Sequence, residues 1–96
     1  MAKDHPTGKS GLYQAILRLE TPEQCYRFFQ DVCSYAELSA MEQRFDIAEM
    51  LTEKKIYTDI MERTGASSAI ISRVNRVLNG GDSVLRQMLT EPPEGD

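Results

Sequence analysis

Histidine occurs once in these 96 residues and cysteine twice, and no apolar run approaches the roughly 18 residues that would cross a bilayer. Each shortage removes a class of function. His5 stands in a polar stretch with no second Cys or His at ligand spacing, so no metal site is expected. Cys25 and Cys33 lie eight residues apart on what reads as one helix, a separation of about 12 Å along the axis that a disulfide cannot span. Both are expected as buried, reduced thiols, because free cysteine behaves as a small hydrophobe. Neither has a histidine nearby and no glycine-rich loop follows a strand, so no catalytic residue is assigned and an enzyme is not expected. The opening "MAKDHPTGKSG" has lysines but no apolar segment after them, unlike a secretory signal. The cytoplasm is the expected compartment, with no membrane partner.

A more local absence concerns acid. From Arg63 to Gly81, "RTGASSAIISRVNRVLNGG" holds three arginines and no carboxylate, in a chain of formal net charge −4. The remainder has eight basic against fifteen acidic residues, so it stands at −7 while the segment stands at +3. A protein that binds phosphate backbones needs such a patch, because counterion release supplies most of its non-specific affinity. The overall negative charge keeps it from coating nucleic acid indiscriminately.

Hydrophobic residues make up 41% and charged residues 27%, which fits an ordinary globular protein. The length fits one domain with a thin core, expected over 11–90, and pairing of chains would thicken that core. Residues 1–10 are polar and read as disordered, and the acidic, proline-containing 91–96 as a frayed tail. Leu12, Tyr13, Ile16, Leu17 and Leu19 recur at helical spacing, predicting a short helix that stops near Glu20. Thr21, Pro22 and Gln24 then form a helix start: a threonine cap, proline at the first position, and an amide that reaches back. The helix they open carries Tyr26, Phe29, Val32 and Cys33 on one side. From Ala36 to about Lys54, Leu38, Met41, Phe45, Ala48 and Leu51 repeat at intervals of three and four, with Ile47 and Met50 widening the stripe. Two wide apolar faces exceed what one small chain readily covers, so they are expected to meet a second subunit.

Ile56, Ile60 and Met61 mark a helix ending at Thr64-Gly65. Another runs from Ser67 to Leu78 and stops at Asn79-Gly80-Gly81. Asp82 is expected to cap a last helix whose Val84, Leu85, Met88 and Leu89 face one way. No strand is read. The class is therefore all-α with about six helices.

Two short helices joined by a glycine turn, at about 56–79, form a helix-turn-helix, whose second helix enters the major groove of DNA. Ile60, Ile71 and Val74 fall where the two helices must pack together. Ser68, Ala69, Ser72, Arg73 and Arg76 then point outward, and these residue types suit a groove. Small side chains permit close approach, alanine can touch a thymine methyl, and arginine can bond bidentately to guanine. Ser67 and Ser68, with the free N–H groups of the first turn, are placed to hold a phosphate. The competing reading makes Ser67 a plain cap and the arginines ordinary solvated charges.

"FFQDVCSYAEL", "AMEQRFDIAEML" and "TGASSAIISRVNRVLNGG", in this order and at these spacings, resemble the Trp-repressor superfamily, in particular its YerC/YecD-type branch. The similarity covers roughly residues 12 to 90. It implies an all-helical, intertwined homodimer whose paired helix-turn-helix units address two half-sites of a palindromic operator on double-stranded DNA. In tryptophan-responsive relatives two arginines sandwich the indole of the corepressor, and the resemblance implies Arg44 and Arg73 as the matching pair. The residue after the second arginine is glycine there and Val74 here, and Val77 replaces a small hydroxyl residue that contacts the ligand. Two branched side chains in that space disfavour tryptophan, so no cofactor is assigned, with tryptophan or a related small-molecule corepressor as the disfavoured alternative and the effector left unnamed. Arg44 also lies among Glu42, Asp46 and Glu49, where an ion pair explains it without a ligand.

Two functions follow. The first is a sequence-specific transcriptional regulator, a repressor that acts by occupying its operator. The alternative is a helical protein-interaction module of the same fold that no longer binds DNA, supported by the negative net charge and the shortness of the basic patch.

Overall fold

The computed structural model describes residues 11–90, so the expectations for the two ends of the chain lie outside the described residues. The described chain is helical throughout: α1 (Gly11–Ile16), α2 (Pro22–Val32), α3 (Tyr35–Thr52), α4 (Tyr57–Thr64), α5 (Ser68–Leu78) and α6 (Val84–Thr90). No strand occurs among the described residues. These residues group into two compact units, one up to Leu38 and one from Ser39 onward.

In the first unit, α1 ends earlier than its apolar spacing predicts. After Ile16 the chain tightens, with Arg18 N–H donating to the Ala15 carbonyl at 3.0 Å and Leu19 N–H to Ile16 at 3.1 Å. The cause is the next helix start. Thr21 must be extended (φ −132°, ψ 156°) because the following proline bars it from helical backbone. The Thr21 hydroxyl accepts the Gln24 N–H at 3.1 Å, and the Gln24 side-chain oxygen accepts the Glu20 N–H at 2.7 Å, one residue further back than a simple capping box places it. Cys33 lies just past α2 rather than in it, its extended backbone closing the helix. Both thiols are free, yet half-buried rather than buried. Phe28 and Phe29 meet edge to face at 5.2 Å. Neither α1 nor α2 contains a buried residue.

The start of α3 has a signal that apolar spacing misses. Ser34 and Glu37 form a reciprocal capping box: the Ser34 N–H donates to the Glu37 carboxylate at 2.8 Å, and the Glu37 N–H to the Ser34 hydroxyl at 3.1 Å. Tyr35 therefore opens the helix. Its other end reverses through Lys54 at φ 67°, with Lys55 N–H donating to the Met50 carbonyl and Lys54 N–H to Leu51, each at 3.0 Å. That pattern satisfies the last carbonyls of the helix.

The second unit has a closed core. Ile47 and Ala48 of α3, Ile60 of α4, Ala66 of the turn, and Ile71, Val74 and Leu78 of α5 are all buried. Leu85 and Leu89 of α6 pack against them. Three isoleucines reach 0% exposure, and each such side chain contributes roughly 1.5–3 kcal/mol. The last helix departs from expectation twice. Ser83, not Asp82, caps it, its hydroxyl accepting the Arg86 N–H at 3.0 Å. And its apolar residues divide, Leu85 and Leu89 inward while Val84 and Met88 are exposed.

Candidate nucleic-acid interface

The turn between α4 and α5 is fixed by small polar groups rather than by glycine alone. Gly65 takes φ 76°, and its N–H donates to the Met61 carbonyl at 2.9 Å. A Cβ there would meet nothing within 4 Å, so the demand is for the left-handed backbone and not for space. The Thr64 hydroxyl donates to the Ile60 carbonyl at 2.7 Å and accepts the Ala66 N–H at 3.1 Å. From α3, the Gln43 amide donates to the Thr64 carbonyl at 3.0 Å. These bonds satisfy backbone groups that a tight turn would otherwise leave orphaned. Sequence reasoning missed Gln43 and Thr64, since a glutamine and a threonine 21 positions apart carry no local signature.

With the turn fixed, α5 presents two sides. Ile71, Val74 and Leu78 are buried at one-turn spacing, with Ile60 buried in the helix before the turn. Ser68, Ala69, Arg73 and Arg76 are exposed on the other side, and Ser72 is half-buried at the border. Ser67 is occupied as a cap, its hydroxyl accepting the Ile70 N–H at 3.2 Å. No acidic residue occurs in the first turn of α5, so its positive dipole end is left uncompensated by its own side chains. Such a ridge, with small side chains at one end and guanidinium groups beyond, has the chemistry to approach a phosphate backbone and reach a base edge. Among the described residues no helix is long and apolar enough to cross a membrane.

The comparisons with known proteins fit this geometry. The family model for the Trp repressor protein matches residues 9–92. The chain belongs to the Trp repressor family. It is 43% identical over 83 residues to the uncharacterized protein YerC of Bacillus subtilis (strain 168), covering 86% of this chain and 80% of that one. Among solved structures it resembles a TrpR-like protein from Eubacterium eligens ATCC 27750, with 49% identity, a TM-score of 0.77, and coverage of 81% of this chain and 80% of the other. It also resembles a protein from Staphylococcus aureus described as a candidate Trp repressor, with 38% identity, a TM-score of 0.81, and coverage of 88% and 85%.

Within this Trp repressor fold, one of the two arginines that the resemblance implies as a corepressor clamp borders a pocket. Arg44 lines a pocket of about 310 Å³ with Met41, Phe45, Val74, Val77 and Leu85, and Arg73 is not among its walls. Among the described residues Arg44 forms no ion pair, so the neighbouring carboxylates on α3 do not hold it. The lining is one guanidinium against five apolar side chains.

Proposed function

We propose that this protein is a sequence-specific DNA-binding transcriptional regulator, a repressor that occupies a palindromic operator as a homodimer and needs no tryptophan to do so. The observation that carries the reading is the two-sidedness of α5. Its aliphatic side is buried in the core, while Arg73 and Arg76 stand exposed beside Ser68 and Ala69. A helix held this firmly on one side presents the other at fixed geometry, which base recognition demands.

The homodimer is supported by α1 and α2. They carry two phenylalanines, two tyrosines and a leucine and fully bury none of them, with Tyr26 54% exposed. Tyr35, at the start of α3, is 89% exposed. Aromatic residues of this kind are enriched at the centres of subunit interfaces. Two-fold pairing then sets the half-sites near one helical turn apart, about 34 to 36 Å. Steric occlusion of the operator requires no chemistry, in keeping with a non-enzymatic, cytoplasmic regulator.

The test is duplex affinity as a function of salt. Each phosphate contact adds about −0.9 to the slope of log K against log salt, so a regulator shows a steep negative slope. A flat line would overturn the proposal and leave the protein-interaction module.

A further inference from the structure

The geometry points to a binding site for a phosphate-type anion in a recess at the C-terminal end of α5, away from its arginine ridge. The recess is about 400 Å³, and its walls include Lys54 and Lys55 from the α3–α4 connection, Arg86 from α6, Asn75 from α5 and Asn79 just past its end. Among the described residues no carboxylate lines it, although acidic residues outnumber basic ones in the chain by fifteen to eleven.

The cations have a structural duty to be weighed first. The ends of α3 and α5 both reach the recess through Leu51, Thr52 and Leu78, and each helix C-terminus carries about half a negative charge. Arg86 meets part of this, its Nη1 donating to the Leu78 carbonyl at 3.4 Å. Two half-charges balance about one of the three cations, so the described walls of the recess keep a positive balance.

The neutral groups agree. The Asn79 amide donates to the Asn75 carbonyl at 2.9 Å and to the Asn75 side-chain oxygen at 3.2 Å. This fixes the Asn75 side chain so that its own NH₂ remains a donor with no partner among the described residues, although Asn75 is half-buried. Lys55 is half-buried too, and no ion pair accompanies it among the described residues. Lys54 is the one non-glycine residue among those described to take a positive φ, where glycine would be less costly. A recess of donors around positive charge favours phosphate over a carboxylate, because phosphate brings more charge and more acceptor oxygens. Because Asn75, Leu78 and Asn79 adjoin or belong to α5, an occupant touches the same helix that carries Arg73 and Arg76.

The source of the phosphate is either a free phosphorylated small molecule or a DNA backbone, and the experiment separates them. The inference does not rest on the DNA reading, since its first probe is inorganic phosphate alone. Backbone amide chemical shifts of the full chain are followed as phosphate is added, against sodium chloride at matched ionic strength. Saturable shifts confined to the neighbourhood of Lys54, Lys55, Asn75 and Asn79 are expected, with half-saturation in the millimolar range. In the Lys54→Gln/Lys55→Gln double variant the binding weakens roughly tenfold or more. Should that variant fold poorly, Lys54→Gln alone, at an exposed position, is read the same way. An unrelated duplex then forms the second arm. If it moves the same amides and the variant flattens its salt slope, the DNA backbone supplies the phosphate. If those amides stay put while phosphate still titrates, the occupant is a small molecule. Shifts that never saturate, that spread over all exposed lysines, or that persist unchanged in the variant would overturn the site.

Discussion

The two halves of this chain use their apolar residues in opposite ways. From Ser39 onward, seven residues close into a core around three fully buried isoleucines. Before it, α1 and α2 also carry apolar residues at helical spacing, yet none of them is fully buried. Local spacing explains why both halves are helical; it does not explain this difference. A half that packs on itself can hold a rigid surface such as the α5 ridge. A half that does not must be covered by something else, and a second copy of the chain is the cover we propose.

The sharpest way to break the comparison is to damage each half in turn. In the closed half, Ile71→Ala removes a fully buried side chain from the α4–α5 contact and should cost about 2 to 5 kcal/mol in denaturant unfolding. An unchanged midpoint would mean the core is not where the burial places it. In the open half, Tyr26→Glu alters a residue 54% exposed in the single chain, where substitutions are usually worth within about 0.5 kcal/mol. If the open half is covered by a second copy, the substitution should instead weaken assembly by about 2 kcal/mol or more. Light scattering at low micromolar concentration should show the mass falling toward the single chain's 10.9 kDa, from about twice that in the parent; a parent already at the lower mass removes the dimer.

Smaller effects sharpen the distinction between the two sides of α5. Arg73→Ala or Arg76→Ala should lower operator affinity by about 1 to 3 kcal/mol with little change in melting, the reverse of Ile71→Ala. Full affinity in both variants would take the arginines out of the interface. Ser67→Ala deletes the hydroxyl that accepts the Ile70 N–H and should cost about 1 kcal/mol of stability. If affinity drops by much more than stability, Ser67 also touches phosphate.

Much of this is legible in the sequence, and the reasons differ by feature. The turn and the two sides of α5 follow from local chemistry: glycine where backbone must be left-handed, branched aliphatics one turn apart, and no carboxylate between Arg63 and Gly81. Helix ends are legible only where the cap is read residue by residue. Ser34-x-x-Glu37 is a capping signature that apolar spacing passes over, and Ser83 competes with Asp82 for the same role on equal local terms. Features built from distant residues have no sequence signal. The Gln43 bond to the turn, the placing of Arg44 beside Val74 and Val77, and the gathering of Lys54, Lys55 and Arg86 depend on how helices pack. Residue type alone predicts that the Cys25 and Cys33 thiols are buried; they are half-buried, in and just past a helix that contains no fully buried residue.

What ties the two halves together is a single proposition: the exposed side of α5 reads base sequence, and it does so from a two-fold assembly. The decisive measurement is selection of bound fragments from a random duplex pool at two salt concentrations. A paired reader should enrich an inverted repeat whose half-site centres lie about 34 to 36 Å apart, and the Arg73→Ala/Arg76→Ala double variant should lose that enrichment. A pool that stays unenriched at both salts, or one enriched equally by the double variant, would contradict the proposition.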